Sequence, residues 1–172
     1  MFHIFHRRLF TAILSLSTAL MLNGFCEPTS ASDQGPPQLT LEGANGEKHC
    51  TLDFTTSVRN FKGNDHCEND QAVGIEFEHV PSASNILVFD DYTCDRTDSG
   101  NYFWFYLRTI KENLTTDGPI DLNVIASTPT GRPVAPGILL ISRYQKPGET
   151  MKNRASCVKI EVDAPPLPVD GP

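Results

Sequence analysis

Residues 73–80 read Val-Gly-Ile-Glu-Phe-Glu-His-Val, an alternation of apolar and polar side chains that decides the fold class. On a β-strand, Val73, Ile75 and Phe77 point to one face and the two glutamates to the other. Further segments of this kind, separated by turn residues, are residues 38–42, 50–55, 85–90, 102–110, 120–126, 138–144 and 156–162. No segment sustains the apolar spacing of a helix. We therefore predict an all-β domain of about eight short strands, built as a two-sheet β-sandwich.

The N-terminus has the layout of a secretory signal peptide. Basic residues 6–8 precede residues 9–22, an uninterrupted run of apolar and small side chains. That run is shorter than the roughly 20 apolar residues of a membrane-spanning helix, so we expect no stable membrane anchor. Cleavage after Ala31 fits the requirement for small residues, and a cut after Cys26 is the alternative. We predict a signal peptide over residues 1–31 and a mature protein that is secreted or periplasmic.

Both ends of the predicted mature chain have little to bury. Residues 32–37 are polar and end in two prolines, and residues 163–172 contain four prolines. We expect both segments to be disordered, which leaves residues 38–162 as one β-sandwich domain.

The charge balance restricts the class of partner. The chain carries 14 Lys and Arg against 21 Asp and Glu, a formal net charge of −7. An acidic domain is repelled by phosphate groups and by anionic lipid. We therefore exclude nucleic acid as the main partner and expect an extracellular or periplasmic protein instead.

Four cysteines follow the signal peptide: Cys50, Cys67, Cys94 and Cys157. An even number in a small exported domain indicates two disulfides, for which three pairings exist. We favour Cys50–Cys67 and Cys94–Cys157, because the first closes a local loop and the second ties the two halves of the domain together.

An internal repeat relates two segments of the chain. Residues 69–77 align without gaps on residues 152–160, and each has a polar turn, then alanine, then an alternating strand. This arrangement resembles the βγ-crystallin fold, in which two Greek-key motifs pack as a β-sandwich. The resemblance covers residues 38–162.

Microbial members of that family carry a calcium signature of two Asn/Asp residues, two arbitrary residues, Ser/Thr and then Ser. The resemblance implies Asn69 and Asp70 as ligands in the first copy and Asn153 and Ser156 in the second. Both copies are degraded, because Val73 and Gly74, and in the second copy Lys152 and Cys157, replace signature residues. Calcium prefers six to eight oxygen ligands. We therefore expect no tightly bound cofactor, and calcium is the one ion whose binding the motif still allows. We also expect a disulfide at Cys157 to stabilise this site in place of the metal.

Two segments are candidates for contact with a partner. Tyr102, Trp104 and Tyr106 share one face of a strand, which is either covered by loops or exposed to a protein or sugar partner. The connection over residues 127–136 holds three prolines with Arg132 in its middle, as in a rigid inhibitory loop. A third polar feature, the acidic loop with Asp90, Asp91, Asp95 and Asp98, fits no EF-hand spacing and is interpreted as solvated.

No catalytic motif of a known enzyme class is recognisable in the sequence. The leading hypothesis is a non-enzymatic binding module that acts through protein contact, like the inhibitors or effectors among proteins with this fold. The alternative is a calcium-stabilised structural or stress protein, and a hydrolase without a recognisable motif is third.

Overall fold

The computed structural model describes residues 35–63, 67–148 and 155–165, so the predicted signal peptide and Asn153 lie outside the described residues. These residues form ten strands and one short helix. In chain order the elements are β1 (Gln38–Glu42), β2 (Lys48–Asp53), β3 (Ser57–Asn60), β4 (Gly74–Glu78), β5 (Asn85–Phe89), β6 (Phe103–Thr109), β7 (Ile120–Asp121), α1 (Leu122–Ser127), β8 (Pro133–Ala135), β9 (Ile138–Gln145) and β10 (Cys157–Glu161).

The strands form two antiparallel sheets. The four-stranded sheet has the order β2-β1-β4-β7, and the six-stranded sheet has the order β3-β10-β5-β6-β9-β8. Strands β1, β2 and β4 lie together, whereas β3, which separates β2 from β4 in the sequence, pairs with β10 in the other sheet. In the same way, β7 belongs to the second half of the chain but pairs with β4 in the four-stranded sheet. Each sheet therefore contains one strand from the other half.

The inner faces of the two sheets share one hydrophobic core. Its members come from the alternating positions of both sheets and include Leu39, Leu41, Ile75, Phe77, Ile86, Val88, Phe103, Phe105, Leu107, Val158 and Ile160, all with at most 1% of their surface exposed. The ring of Phe54 meets that of Phe77 edge to face, with centroids 6.3 Å apart. The predicted all-β fold of two packed sheets is confirmed.

The outer face of the six-stranded sheet carries a second, smaller apolar cluster of Leu87, Phe89, Tyr106 and Cys157. The loop between β5 and β6 is joined to this face by a disulfide from Cys94 to Cys157. The chain after β10 also reaches this sheet, because Ala164 and Pro165 accept hydrogen bonds through their carbonyl oxygens from Arg108 and Asn85. The described structure thus continues to residue 165.

Both disulfides have the pairing favoured from the sequence. Cys50 is bonded to Cys67 across a separation of 17 residues, and Cys94 to Cys157 across 63. Structural disulfides are typical of an oxidising, extracellular environment.

The prediction of a strand over residues 120–126 is wrong beyond Asp121. The Asp121 carboxylate accepts a hydrogen bond from the backbone N–H of Asn123 at 2.7 Å and caps the N-terminus of α1. The buried residues of this helix are Leu122, Ile125 and Ala126, at the spacing of a helical face, while Val124 is exposed. The prediction that the chain contains no helix is therefore wrong for the short helix α1.

Two short strands, β3 and β8, were not predicted from the sequence. Both lie at the edges of the six-stranded sheet, where a strand needs no continuous apolar face. Pro133 is tolerated in β8 because an edge strand has one side without a partner strand.

Candidate functional site

An open cavity of about 440 Å³ lies where three loops meet. The loop before β4 contributes Asn69 and Asp70, and the residue before β10 contributes Ser156. The loop between β5 and β6 contributes the remaining residues, which are Asp90, Asp91, Tyr92, Gly100 and Tyr102. We call this feature the polar–aromatic cavity.

The cavity brings together residues from both copies of the internal repeat. Asp70 accepts hydrogen bonds from the Asn69 amide at 2.8 Å and from the Ser156 hydroxyl at 3.3 Å. The backbone N–H of Asp70 also donates to the carbonyl oxygen of Ala155. Residues assigned to two separate sites by the resemblance thus line a single one.

The acidic loop between β5 and β6 divides into two pairs of carboxylates. Asp90 and Asp91 line the cavity, whereas Asp95 and Asp98 shape the loop itself. Asp95 accepts from the Thr97 backbone N–H at 2.9 Å, and Asp98 accepts from the Gly100 backbone N–H at 2.7 Å. The loop is therefore a structured wall of the cavity and not only a solvated acidic segment.

A buried asparagine fixes the far end of this loop. The Asn101 side-chain amide donates to the carbonyl oxygens of Asp95 at 2.6 Å and of Asp98 at 3.0 Å. Because Asn101 is buried, these bonds are shielded from competition with water. They hold the loop in one shape between the disulfide at Cys94 and the start of β6.

The electrostatics of this loop differ sharply between its two ends. Burial raises the pKa of Asp90 above its ordinary value, although its carboxylate accepts hydrogen bonds from the backbone N–H groups of Phe103 and Tyr102. Hydrogen bonds from the Thr97 backbone and hydroxyl lower the pKa of Asp95. Two aspartates five positions apart therefore titrate on opposite sides of the usual value.

We expect an NMR titration of the side-chain carboxyl carbons to place the midpoint of Asp90 above 3.8 and that of Asp95 below it. Folding raises the pKa of Asp90, so ionisation of this group as the pH rises through its folded pKa weakens the folded state. For Asp95 the sign is opposite, and the stability present above its unfolded pKa is lost as the pH falls through its folded pKa. Coincident midpoints would contradict the burial of Asp90.

The fit of calcium to the cavity is poor. Over residues 35–63, 67–148 and 155–165, no three acidic, histidine or cysteine side chains are grouped as metal ligands. Val73 and Gly74, which replace the hydroxyl residues of the family signature, offer no side-chain oxygen. The oxygen atoms of Asp70, Asp90 and Asp91 therefore line a common wall without converging on one point.

Exposed aromatic rings continue from the cavity onto the six-stranded sheet. Tyr92 is 45% exposed, Tyr102 38% and Tyr144 43%. Trp104 is half-buried and lies directly opposite Tyr144 in the β6–β9 register. We call Tyr102, Trp104 and Tyr144 the aromatic row.

Each of three neighbouring rings carries a cation over its face. Lys62 Nζ lies 4.1 Å from the Tyr92 centroid and Lys146 Nζ lies 4.6 Å from that of Tyr102. Arg96 Cζ lies 5.5 Å from the Trp104 ring. This end of an acidic protein thus alternates aromatic and positively charged groups.

Tyr106 is placed differently from Tyr102 and Trp104, although all three were predicted to share one face. It is completely buried, and its hydroxyl donates to the side-chain oxygen of Asn85 at 3.0 Å. Tyr106 therefore belongs to the covered part of the sheet, and we leave it out of any partner surface.

Arg132 is exposed in the turn that leads into β8, far along the sequence from the cavity residues. Its backbone N–H donates to the carbonyl oxygen of Pro129, and its own carbonyl accepts from the N–H of Leu140. These bonds fix the backbone of the turn at Arg132, whose side chain is exposed.

Comparison with protein-family models, with curated proteins and with solved structures finds no match. Within the described parts of the chain, no helix has the length and hydropathy that crossing a membrane requires.

Sequence reasoning missed two residues of the cavity, Tyr92 and Gly100, and missed that Asp90 and Asp91 join the repeat residues. One signal was present in the sequence. Tyr92 lies two positions before Cys94, and Ser156 lies next to Cys157, so the favoured disulfide already requires these segments to be adjacent.

Proposed function

We propose that this chain is a secreted or periplasmic, non-enzymatic binding module that acts through contact with a protein partner. The observation that carries the proposal is the aromatic row, in which Tyr102 and Tyr144 are exposed and Trp104 is half-buried, at one end of a sheet that a disulfide stiffens. Tyrosine, tryptophan and arginine are enriched at the centres of protein interfaces, where they contribute most of the binding energy. Rings fixed on strands also lose little conformational entropy on binding.

The charges around the aromatic row define the chemistry of the partner. Arg96 and Lys146 lie over Trp104 and Tyr102, and the loop beside them carries Asp90 and Asp91, so the row has charges of both signs at its rim. A partner with an apolar centre and a rim of charged side chains of both signs complements this arrangement. The proposal therefore commits to an exported protein with such a contact surface.

Export is part of the same proposal. It is supported by the N-terminal sequence, which has the composition of a signal peptide, and by two disulfides that need an oxidising compartment. Folding in such a compartment gives the module access to proteins outside the cytoplasm.

We also propose that the fold is of the βγ-crystallin type, with two Greek-key motifs. A Greek key places its fourth strand beside its first and its first beside its second. The proposal is supported in the first half by the order β4-β1-β2. In the second half the order β10-β5-β6 supports it when β9 and β8, which continue the sheet beyond β6, are counted as additions to the motif. In each half the third strand, β3 or β7, lies in the opposite sheet.

The proposal is tested by capturing partners from the fluid or compartment into which the protein is exported. The affinity of the captured protein for Tyr144→Ala and for Trp104→Ala is then measured. We expect each change to weaken binding at least about tenfold, since central aromatic anchors contribute at least that much. Melting curves of each variant establish that it is folded, and Tyr144→Ala, which changes an exposed ring, guards against loss of structure at Trp104.

Ile110→Ala is the matched control, because Ile110 is 55% exposed and follows the opposite end of the same strand β6. Its affinity should equal that of the unchanged protein. Equal affinity of all variants would show that the aromatic row is not the contact surface, and failure to capture any partner would contradict the function itself.

A calcium-stabilised structural protein is the second candidate. The meeting of Asn69, Asp70 and Ser156 in one cavity favours it, whereas the absence of grouped ligands in the described residues opposes it. A site occupied at 100 times its dissociation constant adds about 2.7 kcal/mol to stability, which raises the melting temperature by several degrees. We expect millimolar calcium chloride to produce no such shift, and a shift of several degrees would favour the structural role.

A further inference from the structure

We propose that the polar–aromatic cavity binds a neutral saccharide. The proposal deepens the function proposed above, because a glycan carried by an exported partner would occupy the cavity next to the aromatic row. The two surfaces share Tyr102 but otherwise consist of different residues, so each can be tested without the other.

The charges at the cavity select a neutral ligand. Asp70, Asp90 and Asp91 line its wall and repel phosphate, sulfate or carboxylate groups. Lys62 and Lys146 place ammonium groups over the two tyrosine rings that line the same cavity, and these repel an organic cation. A metal ion finds no grouped ligands among the described residues. A ligand rich in hydroxyl groups and without net charge remains compatible with all of these groups.

The lining offers both kinds of contact that a sugar ring needs. Sugar hydroxyls donate to carboxylates in charge-assisted hydrogen bonds, and the Asn69 side chain offers a further polar group. The C–H face of a sugar ring is apolar and packs against those parts of the Tyr92 and Tyr102 rings that Lys62 and Lys146 do not cover. The volume of about 440 Å³ lies within the range of small-molecule pockets and accommodates a sugar of one or two rings.

The acceptors are held in place before any ligand arrives. The Asp90 carboxylate accepts from the backbone N–H groups of Tyr102 and Phe103 at 2.8–3.1 Å. Asp91 Oδ1 accepts from the Thr93 backbone N–H at 2.6 Å. Because a carboxylate oxygen has two lone pairs, Asp90 Oδ2 and Asp91 Oδ1 can each accept a second hydrogen bond from a ligand. Fixed acceptors reduce the entropy that binding would otherwise lose.

Gly100 keeps the rim of the cavity open. A Cβ atom at this position would lie 3.0 Å from Asp91 Oδ2 and 3.0 Å from Asp98 Oδ1. Any larger residue would therefore press on the Asp91 carboxylate from the side of the loop. Glycine leaves that carboxylate oxygen reachable from the cavity.

The test is an NMR titration of the disulfide-bonded protein with the methyl glycosides of glucose, galactose, mannose and N-acetylglucosamine. We expect at least one to shift the amide signals of residues 91–93 and 100–103, with a dissociation constant of about 1 mM, as is usual for a small ligand held by few polar contacts. Asp91→Asn keeps the acceptor for Thr93 but replaces the second oxygen by an NH₂ donor, and it should weaken binding by about tenfold. Asp98→Asn, in the same loop but outside the cavity lining, is the matched control and should bind like the unchanged protein.

The proposal is overturned if none of the glycosides shifts these signals, or if Asp91→Asn and Asp98→Asn bind equally well. Shifts produced by calcium chloride and by no glycoside would overturn it in favour of a metal site. A result for or against sugar binding leaves the affinity measurements with Tyr144→Ala unaffected, so failure of the saccharide proposal and failure of protein contact are distinguishable.

Discussion

Replacing Cys94 and Cys157 together by alanine is expected to lower the free energy of unfolding by about 4 kcal/mol. The disulfide restrains an unfolded segment of 63 residues, and the entropy lost by the unfolded chain grows with the length of the closed loop. The same bond attaches the β5–β6 loop to β10 and thereby brings Asp91 and Tyr92 close to Ser156. Urea unfolding of the variant under non-reducing conditions gives the free energy directly.

The Cys50→Ala, Cys67→Ala double variant is the matched control. Its disulfide spans only 17 residues, for which the same chain-entropy argument gives about 3 kcal/mol. Amide hydrogen exchange should also differ, with faster exchange at residues 91–101 when Cys94–Cys157 is removed and not when Cys50–Cys67 is removed. A larger loss for the shorter loop would show that native-state packing at the cysteines dominates over chain entropy.

Phe77→Ala is expected to destabilise the protein by about 3–5 kcal/mol. Phe77 is fully buried in β4, and its ring packs edge to face against that of Phe54. Removing the ring loses its transfer free energy and leaves a cavity that the two sheets cannot close without moving apart. Thermal and urea unfolding of the variant measure the loss.

The control for Phe77→Ala is Val58→Ala on the edge strand β3. Val58 is exposed, so its truncation should change stability by less than about 0.5 kcal/mol. If Phe77→Ala cost no more than Val58→Ala, the two sheets would not share the core described above.

Much of the fold could be predicted because its strands are buried on one face. The alternation at residues 73–80 marks β4, and β1 begins and ends where the sequence places it. The helix α1 could not be separated from a strand, because Ile120, Leu122, Val124 and Ala126 satisfy a period of two while Leu122, Ile125 and Ala126 satisfy a helical period. Tertiary packing and the cap at Asp121 decide between them.

The candidate site was predictable only in part. Asn69, Asp70 and Ser156 were singled out by a motif, but a motif gives no distance between its two copies. The convergence with Asp90 and Asp91 depends on the long-range disulfide at Cys94, and three pairings were open from the sequence alone. The burial of Tyr106 depends in the same way on what covers the outer face of the sheet, which a strand pattern does not reveal.

Because β3 and β7 each pair in the sheet formed mainly by the other half of the chain, the two halves depend on each other during unfolding. If the first half of the chain unfolded alone, β7 would lose its partner β4 and β10 would lose its partner β3. Neither half can then keep its own hydrogen-bonded ladder while the other melts. We therefore expect the domain to unfold in a single cooperative transition, and neither half expressed as a separate chain should retain the native sheets.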